Sequence, residues 1–163
     1  MRPVLMTLLV LALLAGCATG PRYDTRGVAL DLPPAIVSAN PEPYRGTPVL
    51  WGGPIIATRN LADYSEIEVL SYPLDSAQRP RTDRPHQGRF LLRQPGYLEE
   101  LDYAPGRLVT VRGRLGSAAA GQVGEAPYTY PVVEVSDLHL WPLTRRDPAQ
   151  PRFHFGIGVI FGR

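Results

Sequence analysis

The chain contains a single cysteine, and the residues before it suggest the chemistry that it performs. Cys17 follows Leu14, Ala15 and Gly16, which is the pattern of a bacterial lipobox. In such a motif the cysteine thiol is the nucleophile that takes a diacylglyceryl group, and the amine freed by cleavage takes a third acyl chain. Each buried methylene contributes about 0.8 kcal/mol, and more than one chain makes anchoring stable. The motif therefore predicts lipidation at Cys17; the alternative is an ordinary export signal that precedes a chance cysteine.

The residues before the cysteine have the layout of an export signal. Arg2 supplies a positive charge, and an apolar run interrupted only by Thr7 follows from Val4 to Leu14. This run is shorter than the roughly 20 residues of a membrane-spanning helix, so we interpret residues 1–16 as a cleaved signal. The residue after the cysteine is Ala18 and not Asp. In bacteria that sort lipoproteins by the residue at this position, such a residue is typical of an outer-membrane destination.

Three histidines could in principle bind a metal or act in catalysis. His86 lies in a predicted loop, His139 in a predicted strand and His154 in the tail. No two of them have a ligand spacing such as i, i+4 on a helix. With Cys17 acylated, no thiol chemistry remains either. We expect neither a metal nor a cofactor, and interpret the histidines as unrelated surface residues.

A nucleophilic serine and paired carboxylates are the remaining catalytic candidates. A Gly-x-Ser-x-Gly elbow is missing from the sequence;. The pairs Glu66/Glu68 and Glu99/Glu100 are more simply explained as solvated faces than as the acid and base of a glycosidase. The sequence therefore predicts a protein that is not an enzyme.

Arginines are concentrated in one predicted polar loop, over residues 73–88. Arg79, Arg81 and Arg84, with His86, could bind an anionic partner such as a lipopolysaccharide phosphate or a glycan. The alternative is a polar hairpin loop that is rich in arginine because the protein contains no lysine.

Four aromatic residues at strand positions could stack on a sugar or a base: Trp51, Tyr128, Tyr130 and Trp141;. Aromatic residues at such positions more often belong to the core and to cross-strand pairs. Their exposure around one groove, or their burial, distinguishes the two interpretations.

Composition limits the class of protein. Removing residues 1–16 from 163 residues leaves enough chain for one domain with a core;. Positive and negative charges are nearly balanced, which does not suggest a nucleic-acid binder;. Eighteen prolines and 16 glycines favour many turns and short strands;.

Hydrophobic patterns predict five strands with one or two helical turns between the third and the fourth. In Ser65–Leu74, Glu66 and Glu68 point outward while Ile67 and Val69 point inward;. Gly52-Gly53-Pro54 and a phase slip near Ser136-Asp137 predict bulges or bends. Gly113 falls on the inward face. The five strands are Thr47–Thr58, Ser65–Leu74, Gly88–Gln94, Gly106–Gly116 and Tyr128–Trp141, with the helical turns in Pro95–Ala104 and a Gly/Ala-rich turn in Ser117–Pro127.

This order of elements predicts a mainly β protein, a small five-stranded Greek-key barrel of the OB type with one short helix. An open antiparallel sheet or a small sandwich is the alternative. Residues 17–45 form a lipidated tether and a Pro-rich arm, residues 46–142 the β domain, and residues 143–163 a tail. Within the tail, alternation over Phe153–Phe161 indicates an extra strand, a membrane-touching segment or an interface.

An ordered set of motifs spread over residues 17–142 resembles the Slp family of outer-membrane lipoproteins, named for starvation-inducible lipoprotein. The motifs are Cys17 after the lipobox; Gly46, Val49-Leu50-Trp51-Gly52-Gly53 and Ile55; Asn60; Ile67-Glu68-Val69-Leu70 and Tyr72-Pro73-Leu74; Gly88-Arg89-Phe90; Gly106-Arg107, Val109-Thr110-Val111 and Gly113; Gly124-Glu125, Tyr128, Tyr130-Pro131-Val132; and Trp141.

The resemblance implies an outer-membrane lipoprotein that faces the periplasm and is linked to stress and stationary phase. It supplies no catalytic mechanism. We therefore expect a non-enzymatic structural or interaction module, held in the membrane by its N-terminal lipid, with an envelope protein, a glycan or lipopolysaccharide as partner. The alternative is a small-ligand or oligosaccharide-binding module that uses an aromatic face of the barrel.

Overall fold

The computed structural model describes residues 22–143. Within them, a short helix α1 (Pro34–Ala39) and a 3-10 turn (Glu42–Tyr44) precede seven strands. The strands are β1 (Pro48–Asn60), β2 (Tyr64–Leu70), β3 (Arg89–Pro95), β4 (Leu108–Leu115), β5 (Ala119–Val123), β6 (Ala126–Tyr130) and β7 (Val132–Leu140).

Five strands form a closed barrel in the order β1-β2-β3-β7-β4. All neighbours are antiparallel except β3 and β7, which run parallel. The mainly β fold, the five-stranded OB-like barrel and the presence of one short helix are thus confirmed. The sequence placed strands in each of these regions, with different ends: β2, for example, stops at Leu70 and not at Leu74.

Strand β1 belongs to both halves of the barrel because it changes partner along its length. Residues Pro48–Pro54 pair with β4, and Ile55–Asn60 pair with β2. The strand continues through Gly52-Gly53-Pro54, and the register shift lies just beyond, between Ile55 and Ala57. A side chain on Gly53 would overlap the carbonyl oxygen of Leu70. Glycine is therefore required where β1 crosses the end of β2.

The inward faces of the strands agree with the alternation in the sequence. Ile67 and Val69 of β2 are fully buried in the core, while their neighbours face outward. Gly113 points inward, where a Cβ would overlap the carbonyl oxygen of Glu134. Opposite it, Ser136 is skipped in the pairing of β4 with β7, which confirms the bulge predicted at this point.

The helix lies in the N-terminal arm and not between β3 and β4. Residues 99–103 form only a hydrogen-bonded turn. The arm supplies α1 instead, and its Val37 is 2% exposed within the barrel core. Just before the helix, the carbonyl oxygen of Leu32 accepts a 2.8 Å hydrogen bond from the indole Nε1 of Trp51. The arm is thus an integral part of the fold.

A hairpin occupies the region that the sequence predicted to be a turn. Strands β5 and β6 pair from Ala119–Tyr130 to Val123–Ala126, and Gly124 has the positive φ of 61° that the tight turn requires;. The predicted fifth strand is split at Pro131, which has no N–H to donate;. The prediction of one turn and one long strand was therefore wrong.

The predicted tail strand Phe153–Phe161 lies outside the described residues. None of the helices within residues 22–143 has the length and hydrophobicity needed to cross a bilayer.

Candidate functional site

Three charged residues face each other on adjacent strands on the outer surface of the barrel. The strand registers place Arg59 of β1 opposite Glu66 of β2, and Glu66 opposite Arg93 of β3. Opposite charges directly across a sheet attract. An Arg59 guanidinium nitrogen lies 2.6 Å from Glu66 Oε1, and Arg93 Nε lies 3.4 Å from Glu66 Oε2. One carboxylate thus holds two guanidinium groups.

A second charged group lies two residues further along β2. Glu68 Oε1 is 2.6 Å from an Arg89 guanidinium nitrogen and accepts a 3.1 Å hydrogen bond from the Tyr130 hydroxyl. Burial and the nearby carboxylate raise the pKa of Tyr130, so its hydroxyl remains a donor;. Tyr130 is the last residue of β6, so its contact with Glu68 connects the β5–β6 hairpin to the barrel, and its hydroxyl also lies 3.0 Å from the carbonyl oxygen of Gln122 within the hairpin.

Between the hairpin and the barrel lies a cleft of about 460 Å³, which we call the outer-face cleft. Its walls are β1, β2 and β3 on one side and β5 with Tyr130 on the other. Because the hairpin and the two arginines cover it, Glu66 is only 7% exposed, so its predicted solvation was wrong. The lining residues are Ala57, Arg59, Glu66, Glu68, Leu91, Ala119, Ala120, Gly121, Gln122 and Tyr130.

A second cavity, of about 710 Å³, lies between the N-terminal arm and the connection from β2 to β3. Leu30 and Leu32 of the arm line one side, and Tyr72, Leu74 and Gln78 line the other. It has fewer charged groups than the outer-face cleft. Asp31 and Asp75 are its ionisable carboxylates.

The three arginines predicted to bind anions all lie in the β2–β3 loop, residues 71–88, but they differ in surroundings. Arg79 packs over the ring of Trp141 at 5.1 Å. Arg81 forms an ion pair of 2.8 Å with Asp83, and Arg84 lies 4.0 Å from the same carboxylate. The Arg81 hydrogen bond lowers the pKa of Asp83, so part of the positive charge is balanced within the loop. Anion binding by this loop stays a prediction.

The four aromatic residues do not line one groove. Trp51 is buried in the barrel core, with its ring edge-on to Phe90 at 5.1 Å. Tyr130 of the hairpin is buried with Leu91 and Val132, and its ring packs against that of the half-buried Tyr128 at 4.7 Å. Trp141 is buried elsewhere, where its Nε1 donates to the Thr110 hydroxyl. This arrangement agrees with packing, the alternative interpretation of these residues.

The two described histidines lie apart in the chain and in structural role. His86 is exposed in the β2–β3 loop, and His139 packs edge-on against Trp141 at 4.6 Å. His154 lies outside the described residues. Among residues 22–143, no three His, Cys, Asp or Glu side chains are grouped so that they could hold a metal ion.

Comparison with protein families decides the identity of this lipobox-bearing barrel. Residues 14–159 match the model of the outer membrane lipoprotein Slp family. The chain belongs to the Slp family. Its members are outer-membrane lipoproteins, and the match extends past Trp141 into the tail, beyond the motifs seen by inspection.

Three curated bacterial proteins are similar to this chain in sequence. The "uncharacterized lipoprotein YeaY" of Escherichia coli K12 is 32% identical over 92% of this chain and 80% of its own. The "outer membrane protein Slp" of the same strain is 29% identical over 80% and 70%. A Haemophilus influenzae protein is 36% identical over 59% and 52%. In comparison with solved structures, the small single-stranded DNA-binding protein of Streptomyces coelicolor gives a TM-score of only 0.34 at 14% identity, over 58% of this chain and 94% of that one.

Sequence reasoning missed Arg59, Arg93 and Gln122 as residues of a candidate site in this Slp-family domain. The cleft exists only because the hairpin folds over the barrel. One signal was available: Gly124-Glu125 separates two short runs by two residues, a spacing typical of a tight hairpin;. The register that aligns Arg59, Glu66 and Arg93 could not be read from the separate strands.

Proposed function

We propose that this Slp-family lipoprotein is a non-enzymatic binding module of the outer membrane, and that the outer-face cleft is its binding surface. The observation that carries the proposal is the charged lining of the cleft, which consists of Arg59, Glu66 and Glu68. Both carboxylates are ion-paired, Glu66 with Arg59 and Arg93 and Glu68 with Arg89. The cleft also lies on the outer face of β2 and β3, beside the connection from β4 to β7 that contains the hairpin. OB barrels commonly bind ligands at these two positions. That analogy concerns the fold and not the ligand.

The pairing of the carboxylates supports binding more than catalysis. A general acid or base needs a proton that can be exchanged with a substrate. Here Glu66 is held by Arg59 and Arg93, and Glu68 by Arg89 and Tyr130. These contacts use the carboxylates to hold the surface together. The Arg59 side chain is 67% exposed, so it offers donors to a partner at the mouth of the cleft.

We further propose that the domain faces the periplasm and serves the envelope during stress or stationary phase, as the family resemblance implies. A cysteine introduced for Leu101 tests the location, since this side chain is 84% exposed in the connection from β3 to β4. A membrane-impermeant thiol reagent should label it only after the outer membrane is permeabilised. Labelling of intact cells would contradict the periplasmic location.

Photo-cross-linking tests the binding surface. A photoreactive residue at Gln122, exposed at the rim of the cleft, should give a defined envelope product in stationary-phase cells. The same residue at Glu125, exposed in the hairpin turn outside the lining, is the matched control. The product should be lost in Arg59→Gln. Equal products at both positions, or no effect of Arg59→Gln, would contradict the assignment of the cleft.

An oligosaccharide is the second candidate ligand, and the size and polarity of the cleft favour it. A volume of about 460 Å³ falls within the range of ligand pockets, roughly 300–1,000 Å³;. Carboxylates and guanidinium groups bind sugar hydroxyls. NMR titration of the Cys17→Ala protein with envelope glycan fragments tests this idea. Shifts confined to Gln122, Ala120 and Gly121 amides would support it, whereas shifts around Trp51 alone would contradict it.

A further inference from the structure

We propose that the domain is oriented on the membrane, with the β2–β3 loop and the arm facing the lipid headgroups and the opposite end of the barrel facing away. The occupant of this surface is the phosphate layer of the leaflet that holds the acyl chains of Cys17. The proposal rests on the predicted lipidation of Cys17, and does not depend on the ligand of the outer-face cleft.

The arm is fixed to the β2–β3 loop close to the anchor. The Tyr23 amide donates a 2.7 Å hydrogen bond to Gln78 Oε1, and Gln78 Nε2 donates a 2.9 Å hydrogen bond to the Tyr23 carbonyl. We call this pair of bonds the Tyr23–Gln78 clasp. Gln78 adopts a left-handed backbone, with φ of 63°.

Chain length then restricts the distance between this loop and the bilayer. Tyr23 follows Cys17 by six residues, so even a fully extended chain reaches at most about 20 Å;. The segments 61–63 and 96–102 begin at the far ends of β2 and β3, where Asn60 contacts Leu98 and Glu100. Seven-residue strands separate the beginnings of these segments by roughly 20 Å from the strand ends that the β2–β3 loop connects;. The loop is therefore the part of the barrel that the anchor holds near the lipid.

The arm and the β2–β3 loop also differ in charge from the segments at the far end of the barrel. Arm residues 22–31 and loop residues 71–88 carry five arginines and four aspartates. The far segments carry only acidic groups, namely Asp63, Glu99, Glu100 and Asp102. An anionic leaflet attracts nearby arginines and repels carboxylates within a Debye length of about 8 Å. The field of the membrane and the length of the tether thus favour one orientation.

Depth measurements on the full acylated protein test the orientation. With Cys17 acylated, an introduced cysteine is the sole thiol of the chain. Ala77→Cys places a fluorophore in the β2–β3 loop, and Leu101→Cys places it at the far end, where Leu101 is 84% exposed. In phosphatidylglycerol vesicles that contain lipids with a nitroxide on the headgroup, we expect strong quenching of the fluorophore at position 77 and little quenching at position 101. Equal quenching, or stronger quenching at 101, overturns the proposal.

The clasp is tested by shortening its side chain. Gln78→Asn keeps an amide and a residue that accepts a left-handed backbone, but it is one methylene too short for both bonds. We expect the difference between positions 77 and 101 to decrease, whereas Ser76→Ala in the same loop should preserve it. An unchanged difference in Gln78→Asn overturns the role of the clasp. Co-flotation with vesicles reports lipidation separately, and cross-linking at Gln122 reports the cleft.

Discussion

The buried hydroxyl of Thr110 connects Trp141, which follows the last barrel strand, to the β2–β3 loop. It accepts a 2.9 Å hydrogen bond from the Trp141 indole and donates a 2.7 Å hydrogen bond to the carbonyl oxygen of Gln78. The residue is on the outward face of β4, yet it is fully buried because Trp141 and the loop cover it. One side chain thus fixes both the last described residues of the domain and the loop that holds the clasp.

Thr110→Val tests this junction. Valine has nearly the same shape but leaves the buried indole N–H and the Gln78 carbonyl without their partner. An unsatisfied buried group costs about 1–3 kcal/mol, so the free energy of unfolding should fall by about 2 kcal/mol. Urea denaturation measures the change. Thr129→Val, at an exposed threonine of β6, is the control and should have little effect. Similar values for both variants would contradict this role of Thr110.

The contribution of the arm to stability is tested in α1. Val37→Ala removes two methyl groups from a side chain that is 2% exposed in the core. We expect a loss of about 2 kcal/mol, from transfer and cavity terms together. Ile36→Ala is the matched control, since Ile36 in the same helix is 51% exposed. Thermal unfolding of the two variants should separate them clearly; if Val37→Ala behaves like Ile36→Ala, the helix does not contribute to the core.

Glu66 is expected to stabilise the outer surface of the barrel. In Glu66→Gln, Arg59 and Arg93 lose the buried carboxylate between them. A hydrogen bond to a charged group contributes about 1.5–3 kcal/mol to stability. Because Arg59 is exposed, the loss is smaller than two full bonds, and we expect the free energy of unfolding to fall by about 2 kcal/mol;. Glu125→Gln, in the exposed hairpin turn, should change stability by less than about 0.5 kcal/mol. Equal chemical-denaturation midpoints for the two variants would show that the ion pairs contribute nothing.

His139 makes stability depend on pH. Burial, together with the charge of Arg79, lowers the pKa of His139. In the unfolded chain the pKa of this histidine is about 6.5, so the unfolded chain binds a proton more readily than the folded chain. The stability that neutral His139 contributes to the folded state is therefore lost as pH falls below about 6.5. Replacing His139 by glutamine should flatten the decline of stability between neutral and mildly acidic pH. His86→Gln in the exposed loop is the control and should preserve it; a decline as steep in His139→Gln would refute the assignment.

The sequence was sufficient for features that depend on local periodicity. Alternation placed Ile67 and Val69 inward, and the phase slip located the bulge at Ser136. Neither hydrophobic pattern nor proline content predicted that Val37 enters the core, because α1 has only six residues and its partners are far away in the chain.

The hairpin was missed for a different reason. Ala119–Val123 consists mostly of small residues with weak preference for strands;. Its position over Leu91 depends on tertiary contacts with Tyr130 and Val132. Glu66 therefore looked solvated in the sequence, although its alternation was interpreted correctly.

Strand β7 determines when a newly exported chain can complete its fold. It is the last strand in the described sequence, and it joins β3 to β4. Until residues 132–140 have crossed the inner membrane, the edges of β3 and β4 remain open to pairing with other chains. Helix α1, which contributes Val37 to the core, is translocated earlier and cannot be enclosed until the barrel closes. The barrel therefore cannot close before translocation reaches the end of β7, and the chain has two unpaired strand edges until then;.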